Sequence, residues 1–400
     1  MNVVCVVLAN ITLIFSLYFV ITGLWAFKNK KINSNTYRKN KFAILIPCRN
    51  EEEVIGNLID SLKTVNYPKN KYDIIVLPNN CTDRTRDVAL SKEVKVIEVT
   101  TNVQTKGEVL RYAFSRLADS KNDAYIIMDA DNLVHKDFLK AMNNAYNSGY
   151  MVAQGFRDAK NPNDNWLTGS YTLFYYLQNF FFNKSRLVLN SSAAINGTGF
   201  MIAKQVIDEY GFPTTTLTED SEFTGICALN NIQVGFVSDA IVYDEHPTKF
   251  KDSWRQRKRW SSGSISCFFV YSRKLWQAFK KNHNLSAVDM PLFYAAPIIQ
   301  VVSFVLSLVT FGIDIFINKK IDFLNSWGLF LFIYLLTILI SMFVVKVYHK
   351  KIRDYYKGIL FLPLFILTWM PINFICLIKK TKTWEPIRHT RNIQIEKIHN

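Results

Sequence analysis

Two aspartates one residue apart, Asp129 and Asp131, follow the apolar stretch Ala124-Tyr-Ile-Ile-Met128. That stretch reads as a buried strand, and the pair stands where the strand must end. In an α/β sheet, ligands collect at the carboxyl ends of strands. Two carboxylates there can hold a hard divalent cation, and the cation can hold a diphosphate. Alone, Asp-x-Asp is equally a solvated turn. Glu219-Asp220 is a second acidic pair, opening a helix that runs to about Leu229. One of these carboxylates can deprotonate a hydroxyl. Thr218 and the acidic pair equally suit a plain helix N-terminus. Gln256-Arg-Lys-Arg-Trp260 offers a guanidinium fork for phosphate and an indole face for a sugar ring. The same segment also reads as a snorkelling interfacial helix, and the two readings are compatible.

These residues need a scaffold, and the chain supplies one by alternation. Residues 42–47, 72–77, 94–99 and 124–128 read as strands. A loop into a helix follows Pro47, and Thr82 or Asp83 is placed to cap a helix over 84–90. Residues 107–117 read as an amphipathic helix. Strand–helix alternation at this spacing predicts a mostly parallel sheet with helices on both faces. Further on, Val234–Val237 and Ala240–Tyr243 read as two short strands around a Ser238-Asp239 turn.

Bulk composition adds a membrane part. Of 400 residues 49% are hydrophobic and 20% charged, with mean hydropathy +0.05. Residues 3–27 are almost wholly apolar, long enough at ~1.5 Å per residue to span a ~30 Å hydrocarbon core. Without a basic n-region or a clear cleavage site, this reads as an uncleaved anchor. Further apolar runs cover 291–317, 327–345 and 359–378, and from 252 to 279 basic residues mix with aromatics as suits the membrane interface. The net charge of +16 comes largely from lysines and arginines flanking these runs, such as Lys28, Lys30, Lys31, Lys39, Lys350 and Lys351. That pattern places 28–41 in the cytoplasm, and no nucleic-acid-binding motif accompanies it. Three full crossings after residue 28 would leave the basic tail outside. Pro363 and Pro371 therefore mark the third run as kinked, re-entrant or interfacial. Six cysteines, none in a Cys-x-x-Cys pair, read as reduced thiols of a cytosol-facing protein. The expected organisation is an anchor (1–27), a basic linker (28–41), an α/β domain (42–250), interface helices (251–286), transmembrane or re-entrant helices (287–378) and a basic tail (379–400).

In order along the chain stand Pro47-Cys-Arg-Asn-Glu51, Asn80-Cys-Thr-Asp83, Thr105-Lys-Gly107, Asp129-Ala-Asp131, Asn196-Gly-Thr-Gly199, Thr218-Glu-Asp220 and Gln256-x-x-Arg-Trp260. Together they resemble the membrane-embedded, inverting family 2 glycosyltransferases, such as cellulose, poly-N-acetylglucosamine and hyaluronan synthases, and most closely a bacterial branch with Asn-Gly-Thr-Gly. The resemblance covers roughly residues 42–262. It implies a GT-A fold, a Rossmann-like mixed sheet, with a UDP-sugar donor and Mg²⁺ or Mn²⁺ as cofactor. It places Glu51 and Asn79 near the uridine with Asp83 shaping that loop, and Lys106 on the donor side. Asp129 and Asp131 would hold metal and diphosphate, Asp131 as the direct ligand. Gln256 and Arg259 would hold the donor phosphates. Asn196, Gly197, Thr198 and Gly199 would line the acceptor side, and Trp260 would stack on the acceptor sugar. Asp220, beside Glu219, is the expected base. Branch members commonly carry aspartate where Asn79 stands; an amide carbonyl still accepts an N–H bond, without the charge.

The activity implied is a processive inverting β-glycosyltransferase, polymerising UDP-glucose or UDP-N-acetylglucosamine and passing the polysaccharide through the bilayer. Accessory export or hydrolase subunits are compatible with this. The rivals are a non-processive transferase acting on a lipid and a catalytically silent membrane scaffold. Trp384, Arg388 and Arg391 of the tail are candidates for a segment that gates the site, or for a membrane-hugging basic tail. His246 is either an extra metal ligand or a local hydrogen-bonder, and the aromatic run 174–182 either binds sugars or packs as a buried helix.

Overall fold

The computed structural model describes residues 3–32, 36–101, 103–316, 323–379, 381 and 389–398. Among them, eight strands form one sheet: β1 (Phe42–Cys48), β2 (Tyr72–Pro78), β3 (Lys95–Val96), β4 (Ala124–Ile127), β5 (Leu133–Val134), β6 (Val152–Ala159), β7 (Phe200–Ala203) and β8 (Val234–Asp244). Their order is β3-β2-β1-β4-β7-β6-β8-β5. The expectation of a parallel sheet holds for β3, β2, β1 and β4. Beyond them the sheet is mixed, because β7 runs antiparallel to β4 and β6 and β5 antiparallel to β8.

β1 and β4 are apolar on both faces because both are covered. Leu45, Leu77, Tyr125 and Ile127 point into one core with the helix Lys106–Arg116, while Ile44, Ile46, Val76 and Ile126 point into the other with Leu58 and Met142. Parallel register aligns Cys48 with Pro78 and Leu45 with Ile127, so the loops after β1, β2 and β4 open on one edge.

Two strand expectations need correction. The third strand is only Lys95–Val96, although Ile97 N–H still donates to Val76 O at 3.0 Å. It is the sheet edge, where long regular strands are disfavoured. The pair 234–237 and 240–243 is one strand, β8, with a register shift opposite Gly155/Phe156. Ser238 and Asp239 are ejected to solvent there without turning the chain.

Among the described residues, four segments are long and apolar enough to cross a membrane, within 5–27, 285–313, 330–347 and 352–378. The first is tied to the second through Asp289, which accepts from Tyr18 Oη at 2.9 Å and pairs two-fold with buried Arg186. The last breaks at Thr368 into the helices Tyr356–Leu367 and Trp369–Ile378. Both its ends rest on the sheet domain and the helix Phe250–Asn282. Gly358 crosses Gly169, where a Cβ would lie 2.9 Å from the Gly169 Cα. At the other end Cys376 Sγ lies 3.4 Å from Lys258 O and Thr381 N–H donates to Ser262 Oγ at 3.1 Å.

Candidate active site

The strand-end loops, the start of the helix Glu219–Leu229 and the long helix Phe250–Asn282 enclose a cavity of about 810 Å³. Glu51, Asn79, Lys106, Asp129, Asp131, Asn196, Gly197, Glu219, Asp220, Gln256, Arg259 and Trp260 all line it. Residues distant in sequence thus meet as the motifs predict.

Asp83, Thr198 and Gly199 do not line it, and each has a framing task instead. The Asp83 carboxylate accepts from Thr85 N–H at 3.0 Å and Glu52 N–H at 3.1 Å, tying the β2 loop to the β1 loop. This serves as the cap of the helix Thr85–Ser91, whose N-cap position is occupied by Arg84 rather than Thr82 or Asp83. Thr198 Oγ1 accepts from Asp129 N–H at 3.0 Å and bonds the Asn132 side chain, which in turn donates to Asp244 at 2.8 Å. Gly199 N–H donates to Ile127 O at 2.9 Å, and its φ of +63° with Val242 against the missing Cβ requires glycine. The Asn-Gly-Thr-Gly segment is therefore a bracket that fixes where Asp129 points. Only Asn196 and Gly197 reach the cavity. Thr218 occupies the N-cap position of its helix but makes no side-chain cap bond, so the acidic pair is not explained by capping through Thr218.

Lys106 joins the two acidic pairs. It begins a helix fixed by a Thr105/Glu108 capping box. Its ammonium bonds Asp129, donates to Gly197 O at 2.6 Å and lies 3.7 Å from Glu219. Burial disfavours its charge, yet the Asp129 and Glu219 carboxylates outweigh this and raise its pKa. Burial pushes Glu219 up to about 7 and raises Asp220 as well. Ser221 N–H, Lys106 and Arg259 oppose the rise at Asp220. A carboxylate held above its ordinary range, beside cations that still permit ionisation, suits a general base.

Asp131 is 4% exposed, and burial raises its carboxyl to about 7. A buried carboxyl beside Asp129 and Asp244 is a place for a cation. Among the described residues no group of three or more His, Cys, Asp or Glu is arranged as a complete metal cage. That donor set fits Mg²⁺ or Mn²⁺, which are held by one or two carboxylates with phosphate and water completing the shell. Five residues of the cavity wall carry a buried polar atom without a hydrogen-bond partner among the described residues: Asn79 Oδ1, Asn196 Nδ2, Ser221 Oγ, Gln256 Oε1 and Thr381 Oγ1. A water, an ion or a polar ligand is what would satisfy groups of this kind.

Sequence reasoning missed several wall residues. Arg157 pairs with Asp244, donates to Asn196 O at 2.7 Å and lies 4.1 Å from the Tyr175 ring centre. An arginine in an otherwise buried strand was the available signal. His389 was overlooked beside Arg388 and Arg391. Its Nδ1 lies 3.0 Å from a Glu51 oxygen and its Nε2 3.7 Å from Asp131. The backbone N–H groups of Thr390 and Arg391 donate to Glu245 at 3.0 and 3.2 Å. Arg391 itself turns away from the cavity to pair with Asp164 at 2.8 Å. Trp384 and Arg388 lie outside the described residues. His246 is buried and stacked between Tyr171 and Tyr175, 3.5 Å from Asp244, as a local packing residue. The aromatic run 174–182 is largely buried, with Phe174 and Tyr175 reaching the cavity.

Past Trp260 the cavity continues between apolar helices. Trp369 lies 6.4 Å from Trp260, near-parallel to it, and donates to Ser261 Oγ at 3.2 Å. Ser261 donates to Asn373 at 2.6 Å, and Asn373 to Gln300 at 2.7 Å. Indoles and amides thus extend into the apolar layer.

Residues 39–263 match the family model described as "Glycosyltransferase like family 2". The chain is 26% identical over 359 residues to the probable glycosyltransferase YdaM of Bacillus subtilis, covering 85% of this chain and 84% of that one. It is 26% identical over 246 residues to a beta-monoglucosyldiacylglycerol synthase of Synechocystis, covering 60% of this chain and 51% of that one. The fold is similar to that of a Pyrobaculum calidifontis mannosyltransferase solved with GDP-Man and Mn²⁺, with TM-score 0.53, 16% identity, and 87% and 99% of the two chains covered.

Proposed function

Because the chain belongs to the glycosyltransferase-like family 2, we propose that it is a processive inverting β-glycosyltransferase using a UDP-sugar. The observation that carries this reading is the cavity's continuation from Asp220 past Trp260 to Trp369, Asn373 and Gln300. Indole faces and amides are the groups that hold sugar rings, and polar side chains in an apolar helix layer are costly unless functional. Asn79 Oδ1 would accept the uracil N–H. Asp129 and Asp131 would hold the divalent cation, which when bound neutralises charge on the diphosphate. Gln256 and Arg259 bind the phosphates. Asp220 takes the proton of the acceptor hydroxyl as its oxygen attacks the anomeric carbon from the face opposite the diphosphate. The bond from that carbon to the phosphate oxygen breaks, and UDP leaves against Arg259.

Three crossings follow from this reading, by the first three apolar segments, with the fourth re-entrant. The sheet domain, residue 28 and the tail then share the cytosolic face. The tail serves as a gate, with His389 in the place that the donor must enter.

A second reading, one sugar added to a lipid, is favoured by the similarity to a beta-monoglucosyldiacylglycerol synthase. Membranes incubated with radiolabelled UDP-glucose or UDP-N-acetylglucosamine and Mg²⁺ or Mn²⁺ decide between them. A high-mass product is expected. A small lipid-soluble product replaces the first reading with the second, and no product from any donor overturns both.

A further inference from the structure

Cys48 and Cys81 take no part in the chemistry above, yet they are adjacent. Cys48 closes β1, and Cys81 lies in the loop after β2, the neighbouring parallel strand. Cys81 Sγ lies 3.6 Å from Cys48 O and 4.0 Å from Asn79 O, which sets the Cys81 side chain against the end of β1. Cys48 is buried and lines the cavity with Glu51 and Asn79, whereas Cys81 is partly exposed. Of the other cysteines, Cys227, Cys267 and Cys376 are buried and Cys5 lies in the N-terminal helix.

We propose that Cys48 and Cys81 form a dithiol modification site, closed to a disulfide by hydrogen peroxide, and that closure shuts the base end of the donor pocket. The second half rests on the donor reading above. The first half rests on the pair alone.

The two thiols are differentiated for this chemistry. The neighbouring Cys48 side chain, then the backbone at Asn50 and Asn79, outweigh burial and lower Cys81 to about 6. A lowered pKa favours the thiolate, the form that attacks peroxide. The neighbouring Cys81 side chain, followed by burial, raises Cys48. Cys48 thus waits as the resolving thiol. In the first step the Cys81 sulfur bonds one peroxide oxygen as the O–O bond breaks. This leaves a sulfenic acid and a hydroxide that takes up a proton as water. In the second, the Cys48 sulfur attacks the Cys81 sulfur and the S–O bond breaks. The departing hydroxide leaves as water with the Cys48 proton. Two thiols are oxidised and one peroxide is reduced to two waters. The new bond draws together the loops that carry Glu51 and Asn79.

The test uses the full-length protein in nanodiscs, reduced and then treated with peroxide. Peptide mapping by mass spectrometry is expected to show a Cys48–Cys81 link. Calorimetry with UDP and Mn²⁺ is expected to show about tenfold or greater loss of affinity, and dithiothreitol should restore both. In Cys81→Ser, peroxide should form no link and leave that variant's own UDP affinity where it was. The proposal is overturned if both thiols stay free under peroxide, if other cysteines oxidise first, or if the linked protein binds UDP as tightly as the reduced one. A reduced protein that binds no UDP sinks the donor reading, while the peptide map still decides the dithiol.

Discussion

At the scale of single residues, the site is two acidic pairs bridged by one half-buried cation, Lys106. Asp220→Asn keeps size and shape but cannot take a proton. Transfer should fall by about 10²–10⁴, while calorimetry should show UDP bound as in the parent; persistent polymer would refute the base assignment. Burial raises Asp220, and a base works only when ionised. Activity should therefore be lost as pH falls through a value above the ordinary carboxylate range. Lys106 is among the charges that hold Asp220 down. In Lys106→Met the acid limb of the pH–rate profile should move to higher pH, and an unmoved limb would separate Lys106 from the base. Most of these residues were legible in the sequence because polar groups at strand ends stand out against apolar runs. His389 was not. Its partners Glu51 and Asp131 are brought to it only by the return of the tail across the sheet edge, and no local period records that.

Elements place these groups through close backbone approaches. A Cβ on Gly263 would lie 2.8 Å from Thr218 Cβ, so the long helix Phe250–Asn282 rests directly on the start of the helix carrying Asp220. Gly263→Ala should push the two apart. Overpacking of this kind costs about 1–3 kcal/mol, and the loss of activity should exceed what the fall in Tm explains, because Arg259 and Trp260 move with their helix. Equal activity in the variant would show that this contact is not what sets the geometry. β8 teaches a related lesson. Its Ser238-Asp239 looked like a turn because both are polar, yet a bulge ejects such residues while the strand continues.

For the whole molecule, the question is which side of the membrane each end occupies. A cysteine introduced at Asn392, in a chain whose six native cysteines are replaced by serine, should react with an impermeant maleimide only after cells are opened. Labelling of intact cells would make the last apolar segment a full crossing. Removing residues 389–400 should clear His389 from Glu51 and Asp131 and tighten UDP–Mn²⁺ binding severalfold by calorimetry. Weaker binding would instead make the tail a lid that closes over the donor.

The sequence by itself determined the strand-end motifs, the apolar segments and their basic flanks, because period, polarity and charge are local properties. It also foresaw trouble in the last apolar run, from its prolines. Only the tertiary structure decided that Asn196–Gly199 braces Asp129, that a lysine joins the two acidic pairs, that the last run returns to the sheet domain, and that His389 enters the site. Each depends on contacts between segments far apart in the chain, and such contacts are set by packing rather than by any spacing along the sequence.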